Sequence, residues 1–426
     1  MITSPSRARI DFAAQALALI QSFTQPADAQ LKAFFRGKRE LGSHDRAFVA
    51  ETVYCALRHL RSLTLLAQSS DARALTLATL VKYRRLNLRE IAPFVNAHEA
   101  RWLAEINAAD RAALPLSARA ELPDWLLTKL VAAHGESETI EMMRAFNRPA
   151  SLDLRVNTLV ANREKILTLL QSEGIKAEAT PFSPFGIRLS DHLAINRHPF
   201  FLEGKIEVQD EASQLACLLV APKPRELVAD FCAGSGGKTL ALGALMHSRG
   251  RLYAFDVAQR RLANLKPRLK RSQLSNVHAQ LLITESDARL KRLAGKIDRV
   301  LVDAPCTGLG TLRRNPDLKW RQTERSLAEL TEKQAAILRR AANLVTLGGR
   351  LVYATCSILP EENDDIVAQF LAGQREFSLV ACNAILAAKG IALDTGDMLR
   401  LFPHQHGTDG FFAAVMERRI ASLTSA

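Results

Sequence analysis

The stretch that most constrains the fold is Asp230-Phe-Cys-Ala-Gly-Ser-Gly-Gly-Lys238-Thr239, midway along a chain of 426 residues. Leu227-Val228-Ala229 before it is a short apolar run with the character of a buried strand, and Leu240 to Met246 after it has helical length and spacing. A strand that passes through glycines into a helix turns bare backbone N–H groups toward one point, where a polar or anionic ligand is favoured. The chain beyond Met246 repeats this strand–helix unit. Strands are expected at 225–232, 251–256, 278–284, 298–304 and 349–355, with helical segments between them. Such alternation implies right-handed crossovers and a mostly parallel sheet with helices on both faces, the Rossmann-like α/β class. Ligands of these sheets bind beyond the carboxyl ends of the strands. Asp230, Asp256, Asp287, Asp303, Cys306 and Cys356 all fall at or just past such ends. Singly, a strand-end Asp caps a helix and a buried Cys is a small hydrophobe; together on one edge they form a pattern.

Three glycine-rich loops share this outline. A phosphate-cradling P-loop needs G-x-x-x-x-G-K-[ST]; Gly237-Lys238-Thr239 supplies its second half, and Leu301-Val302-Asp303 resembles its magnesium-holding strand. The first glycine, however, falls on Cys232. A dinucleotide fingerprint beginning at Gly234 needs glycine where Thr239 stands. The third loop is that of S-adenosylmethionine (SAM) methyltransferases, in which one acid opens the loop and a second ends the next strand. Arg251 to Asp256 is that strand, and Asp256 lies 20 residues beyond Gly236, an offset suited to ribose hydroxyls. On the loop alone, nucleotide binding and a structural turn both remain open.

Residues 7 to about 145 have a different texture. Ile10, Ala13, Leu17 and Ile20 form one helical stripe; Val49, Val53, Leu57 and Leu60 form another after Asp45. Lys82 to Arg89 sets four cations in eight residues around Tyr83, either a phosphate contact or a solvated face. From Asn147 the pattern changes again: Leu152 to Asn157 alternates as a strand and Ile187 to Leu189 is another short one, Arg163 to Glu173 is helical, and the segment from Val208 begins a helix running to about Val220. The expected domains are therefore 1–146, helical; 147–205, small α+β; and 206–426, α/β. A formal net charge of +13 points to a polyanionic partner. No apolar run approaches the roughly 18–20 residues of a membrane span, and the N-terminus shows no secretory pattern. Six cysteines without a C-x-x-C pair argue against a disulfide framework or a zinc site and fit a reducing, cytoplasmic setting.

Two strand endings carry chemistry: Asp303-Ala-Pro-Cys306-Thr-Gly, and Tyr353-Ala-Thr-Cys356-Ser with Pro360-Glu-Glu-Asn363. A methyl acceptor must be nucleophilic, and C5 of cytosine is not. A thiolate adding at C6 makes the ring an enamine whose C5 can attack a sulfonium methyl group. An acid near N3 accommodates the electron density, and a base later removes the C5 proton so that the thiolate leaves. One thiol at each of two strand ends, with an Asp beside the first, matches that inventory. Arg313, Arg314, Lys319 and Arg321 place four cations within nine residues after Cys306; they are expected to hold RNA phosphates, with Trp320 packing or stacking beside them.

These segments, in this order, resemble the Sun/Nop family of RNA cytosine-C5 methyltransferases, and in particular its RsmB-type branch acting on bacterial 16S rRNA. The likeness covers roughly 147 to 416. It implies that Cys232, Ala233, Gly234, Ser235, Gly236, Gly237, Lys238, Asp256, Asp287 and Asp303 line the SAM site, with Lys238 also reaching the substrate. It implies that Cys356 is the nucleophile, that Cys306 assists breakdown of the adduct, and that Asp303 serves cofactor and base. Leu41 to Arg46 and Val53 to Arg58 are similar to a NusB-like RNA-binding domain. Gly234-Ser235 stands where the family usually carries Ala-Pro. The expectation is a monomeric, cytoplasmic, SAM-dependent RNA (cytosine-C5) methyltransferase acting on small-subunit rRNA, without metal or membrane. The alternatives are a P-loop ATPase and a non-catalytic RNA-binding or assembly factor on a methyltransferase scaffold.

Overall fold

The computed structural model describes residues 4–190, 193–283 and 287–419. The chain packs as two units: residues up to Pro149 with Thr311–Glu324, and Ala150–Gly310 with the chain from Arg325 onward.

The first unit is all helical. Its longer members are Arg7–Ile20, Ala27–Gly37, Ser43–Arg58, Ala72–Lys82, Ala97–Ala108, Asp124–His134 and Glu136–Phe146. Side-chain caps start several of them: Ser6 accepts from Arg9 N–H, Asp71 from Ala74 N–H, and Asn96 from Glu99 N–H. The expected stripes face inward, with Ile10, Ala13, Leu17, Ile20, Val49, Val53 and Leu57 all buried. Leu60 is only half-buried.

The unexpected member of this unit is Thr311–Glu324, which the linear division assigned to the α/β domain. Trp320 Nε1 donates to Leu57 O at 2.8 Å, Ala27 N–H to Asp317 at 3.2 Å, and an Arg58 guanidinium nitrogen to Arg313 O at 3.0 Å. Lys319 is fully buried, donating to Arg58 O and Asn147 Oδ1, each at 2.9 Å. A segment distant in sequence thus completes the helical unit.

The second unit contains two sheets. The smaller is antiparallel, formed by β1 (Leu152–Val156), β2 (Ala177–Ala179), β3 (Gly186–Leu189) and β4 (Ile206–Val208) in the order β2-β3-β1-β4. The larger contains β5 (Leu227–Asp230), β6 (Arg251–Asp256), β7 (Val277–Leu281), β8 (Ile297–Asp303), β9 (Val345–Thr355), β10 (Phe377–Val380), β11 (Leu399–Leu401) and β12 (Phe411–Arg418). Its order is β10-β12-β9-β8-β5-β6-β7, with β11 pairing to β12. β5 to β9 run parallel to their neighbours, and β10, β11 and β12 add antiparallel pairings at one side. The five expected strands are present within a few residues; residue 284 of the expected 278–284 strand lies outside the described residues.

Alternate residues feed two cores, as a sheet covered on both faces requires. Val228, Leu252, Leu301 and Val352 pack on one side; Ala229, Phe255, Val302 and Tyr353 pack on the other. Leu154, Val156, Ile187 and Ile206 of the small sheet belong to the first of these cores, so the two separate sheets share one hydrophobic core. Chain order reverses at β5, with β6 and β7 on one side and β8 and β9 on the other. That switch point opens a crevice at the carboxyl ends.

Candidate active site

A cavity of about 800 Å³ occupies this crevice. Cys232 to Ser235, Gly237 and Lys238 line it, as do Asp256, Asp303, Cys306 and Cys356. Two of the expected cofactor residues do not: Gly236 is packed against Leu265, and Asp287 caps the short helix Ala288–Lys291. The Arg289 guanidinium and two backbone N–H groups already hold the Asp287 carboxylate, well below the usual carboxylate range.

The loop is shaped from within. Asp230 is buried, and one oxygen accepts the Thr239 hydroxyl at 2.7 Å, joining the end of β5 to the helix Gly237–Leu245. Burial pushes its carboxyl up to about 7. Gly234 adopts φ +56, a left-handed conformation closed to proline and strained for alanine. A Cβ there would meet nothing within 4 Å, so the cavity is open beside the loop backbone. The Gly234 N–H donates to Asp256 at 2.7 Å, and Ala258 N–H reaches its other oxygen at 2.6 Å. Asp256 therefore ties the loop to the end of β6, and each oxygen retains a lone pair.

Deeper in the crevice, Lys238 Nζ donates to Asp303 at 2.7 Å and lies 5.2 Å from the Phe411 ring centroid. Burial disfavours this ammonium, but the Asp303 carboxylate outweighs burial and raises its pKa. Beyond the pair, Cys306 and Cys356 bring their sulfurs to 3.4 Å. The hydrogen bond with Cys356, then burial, push the Cys306 thiol well up, a direction suited to a group that holds a proton. Burial also raises the Cys232 thiol, reinforced by the carboxylates around it, a direction that disfavours its thiolate.

A family profile described as 16S rRNA methyltransferase RsmB/F matches residues 217–417. A second, described as the RsmF/B-like ferredoxin-like domain, matches 122–196. The probable ribosomal RNA small subunit methyltransferase B of Synechocystis sp. is 32% identical over 418 residues, covering 89% of this chain and 93% of its own. The chain belongs to the RsmB/F methyltransferase family. The ribosomal RNA small subunit methyltransferase B of Proteus mirabilis is 35% identical over 301 residues, 70% of this chain and 66% of its own. A solved methyltransferase homolog protein from Pyrococcus horikoshii is 28% identical, with a TM-score of 0.62 over 73% of this chain and 100% of its own. Membership makes the chain a SAM-dependent rRNA methyltransferase.

The residues present fit the RsmB/F donor. The open backbone at Gly234 and the lone pairs left on Asp256 supply what a nucleoside with two ribose hydroxyls needs. The loop is also braced from outside: Arg268 donates to Ser235 O at 2.7 Å and to Glu207 of β4 at 3.0 Å. Motif reading did not reveal this brace, because Arg268 and Glu207 carry no signature in sequence.

Placement differs most for the expected RNA cluster. Arg313, Arg314, Lys319 and Arg321 all belong to the helical unit. Lys319 is enclosed, Arg313 is almost enclosed, and Arg321 pairs with Asp317. Lys319 is enclosed away from any phosphate, and Trp320 is half-buried with its indole N–H donating to Leu57 O. In the Lys82–Arg89 segment, Lys82 donates to Asn107 O and Ala109 O, while Arg84 pairs with Glu51. Exposed cations occur on the helix Gln259–Ser272: Arg260, Arg261, Lys266 and Lys270 have no partner among the described residues, and Arg261 lines the cavity. Among the described residues, no helix is long and apolar enough to cross a membrane, and no side-chain group is arranged to hold a metal.

Proposed function

We propose that the chain methylates C5 of a cytosine in small-subunit rRNA through a covalent adduct to Cys356. The observation that carries this is two thiols 3.4 Å apart at the switch-point edge, next to the Lys238–Asp303 pair. One thiol alone would be read as core; two in contact, facing a cofactor-sized cavity, suit a reaction that adds and then eliminates sulfur. Cys356 adds as thiolate to C6, and the displaced electron pair moves through the ring. Asp303 and Lys238 steady the polarised N3 edge by hydrogen bonding. Bound SAM supplies the electrophilic methyl group that C5 takes. Cys306 then loses its own proton to solvent and, as thiolate, takes the C5 proton; the double bond re-forms, and the Cys356 thiolate is expelled. The target must leave its stack to lie between the cofactor and the thiol, which an unpaired cytosine does at least cost. The exposed Arg260, Arg261, Lys266 and Lys270 carry the phosphates flanking it.

Incubation of each cysteine variant with rRNA and SAM tests the proposal. Cys356→Ala should lose both methylation and any protein–RNA adduct. Cys306→Ala should add and accept the methyl group, then accumulate a SAM-dependent complex that survives denaturing electrophoresis. An adduct in Cys356→Ala but not in Cys306→Ala would reverse the roles; intact methylation in both would end the covalent mechanism. The P-loop alternative lost its ground with family membership, and no observation favours a non-catalytic scaffold.

A further inference from the structure

Glu362 is fully buried, yet nothing in the reaction above uses it. Its oxygens are saturated by groups from three segments. Oε1 accepts from Thr307 N–H at 2.8 Å and from Gln334 Nε2 at 2.9 Å. Oε2 accepts the Thr307 hydroxyl at 2.5 Å and the Ser357 hydroxyl as well. Thr307 follows Cys306 and Ser357 follows Cys356, so a single carboxylate oxygen joins the residues directly after the two thiols. The two hydroxyls stand 3.4 Å apart, the same separation as the two sulfurs.

The grip extends to the other side of each cysteine. Gln334 Nε2 also donates to Pro305 O at 2.9 Å, just before Cys306. Before Cys356, the Thr355 hydroxyl donates to Asn363 Oδ1 at 2.5 Å, and Asn363 Nδ2 returns to Ser357 O at 3.2 Å. The Tyr353 hydroxyl fixes the Glu362 carbonyl at 2.7 Å. Gly310 closes the frame. Its N–H donates to Cys356 O at 2.8 Å, and a Cβ there would fall 2.0 Å from Gly410 O.

Desolvating a carboxylate is costly even when it is well paired, and apolar side chains in place of the whole network would stabilise a loop junction at least as well. What the carboxylate adds is direction: four donors fixed on one planar group. We infer that Glu362 is a positioning residue that holds the Cys306 and Cys356 loops at the spacing the two-thiol reaction needs. The inference rests on the covalent reaction proposed above. Addition needs only Cys356 and the base, whereas release needs both thiols on one ring, so loosening the strut should slow release more than addition. The charge of Glu362 also bears on Cys306, helping to keep that thiol protonated until it acts.

The test is a double variant, Thr307→Val with Ser357→Ala, which removes both hydroxyl links with little change of volume. Glu362→Gln is the conservative partner, because both hydroxyls can reverse and accept from its amide. We expect the double variant to form adduct within a few-fold of wild type but to release product about tenfold more slowly or worse, leaving a denaturation-resistant, SAM-dependent band. SAM affinity should be unchanged, and Glu362→Gln, made in the otherwise wild-type chain, should retain most of the release rate. Unaltered release in the double variant would overturn the inference. So would parallel loss of adduct formation and of folding stability, which marks a merely structural role. Cys306→Ala runs alongside: if it traps no adduct, the two-thiol reaction itself fails. If it does and the double variant does not, only the role of Glu362 fails.

Discussion

Lys319 is a fully buried ammonium, and Lys319→Met should change how stability depends on pH. Burial pushes its pKa down to about 7, while in the unfolded chain it stays near 10.4. The folded protein therefore releases the proton near pH 7 and the unfolded chain holds it for about three more pH units, so stability rises across that window. At ~1.36 kcal/mol per unit the ceiling is about 4 kcal/mol. The hydrogen bonds to Arg58 O and Asn147 Oδ1 favour the charged form and reduce it, so about 2 kcal/mol is expected between pH 7 and 9.5. Methionine fills the space of the stem but leaves those two acceptors without their donor, a loss of ~1–2 kcal/mol. Wild type and variant should therefore be nearly equal near pH 6.5, with wild type ahead at pH 9.5. Trp102, Trp125 and Trp320, the only tryptophans in the chain, all lie in the helical unit, so intrinsic fluorescence during urea unfolding reports it selectively. Parallel pH profiles for the two proteins would refute the reasoning.

Three further outcomes are expected. Asp256→Ala should weaken SAM at least about tenfold in calorimetric titration while leaving RNA affinity nearly intact, since charge-assisted bonds contribute roughly 1.5–3 kcal/mol each. Asp230 runs opposite to Lys319: burial raises its carboxyl to about 7, so the folded protein keeps a proton the unfolded chain has lost, and stability falls from about pH 4 to pH 7. Asp230→Asn should gain about 2–3 kcal/mol on wild type between pH 5 and pH 8, followed by circular dichroism in urea. Replacing Arg260, Lys266 and Lys270 with glutamine should lower the log–log salt slope of RNA binding by about 0.7 per lost phosphate contact on a single strand; Lys319→Met should leave it unchanged.

Much of the catalytic half was legible because each of its signals is local. The apolar run, the glycines and the acid at the next strand end are read from adjacent residues, and Lys238, Asp256, Asp303, Cys306 and Cys356 converge on one cavity. Asp287 shows the limit of that logic. A strand-end acid can serve a ligand or cap the following helix, and here the Asp287 carboxylate caps the helix and pairs with the guanidinium two residues on. Gly234 shows a departure becoming explicable: where the family carries Ala-Pro, this loop takes a positive φ that glycine adopts without penalty. The antiparallel strands β10, β11 and β12 escaped notice because they break the strand–helix alternation that exposed the others.

What sequence could not show was the direction of burial in segments whose environment comes from elsewhere. Lys319-Trp320-Arg321 has the composition of an RNA contact: cations around an aromatic, shortly after a reactive thiol. Yet the acceptors that enclose Lys319 come from Arg58 and Asn147, and the carbonyl that takes Trp320 comes from Leu57. No window centred on the segment contains them. Glu362 is the mirror case. Pro360-Glu-Glu-Asn363 reads as a motif, but its two acids are interchangeable until the short turn Pro360–Glu362 sends the second one inward to Thr307 and Ser357. One rule connects the two misses. A charged side chain goes inside only where several donors or acceptors converge, and those partners belong to distant segments. The informative sequence signal was therefore not either acid itself but the hydroxyl residue that follows each cysteine. Two Cys-hydroxyl pairs at neighbouring strand ends call for one shared acceptor, and Glu362 answers to both.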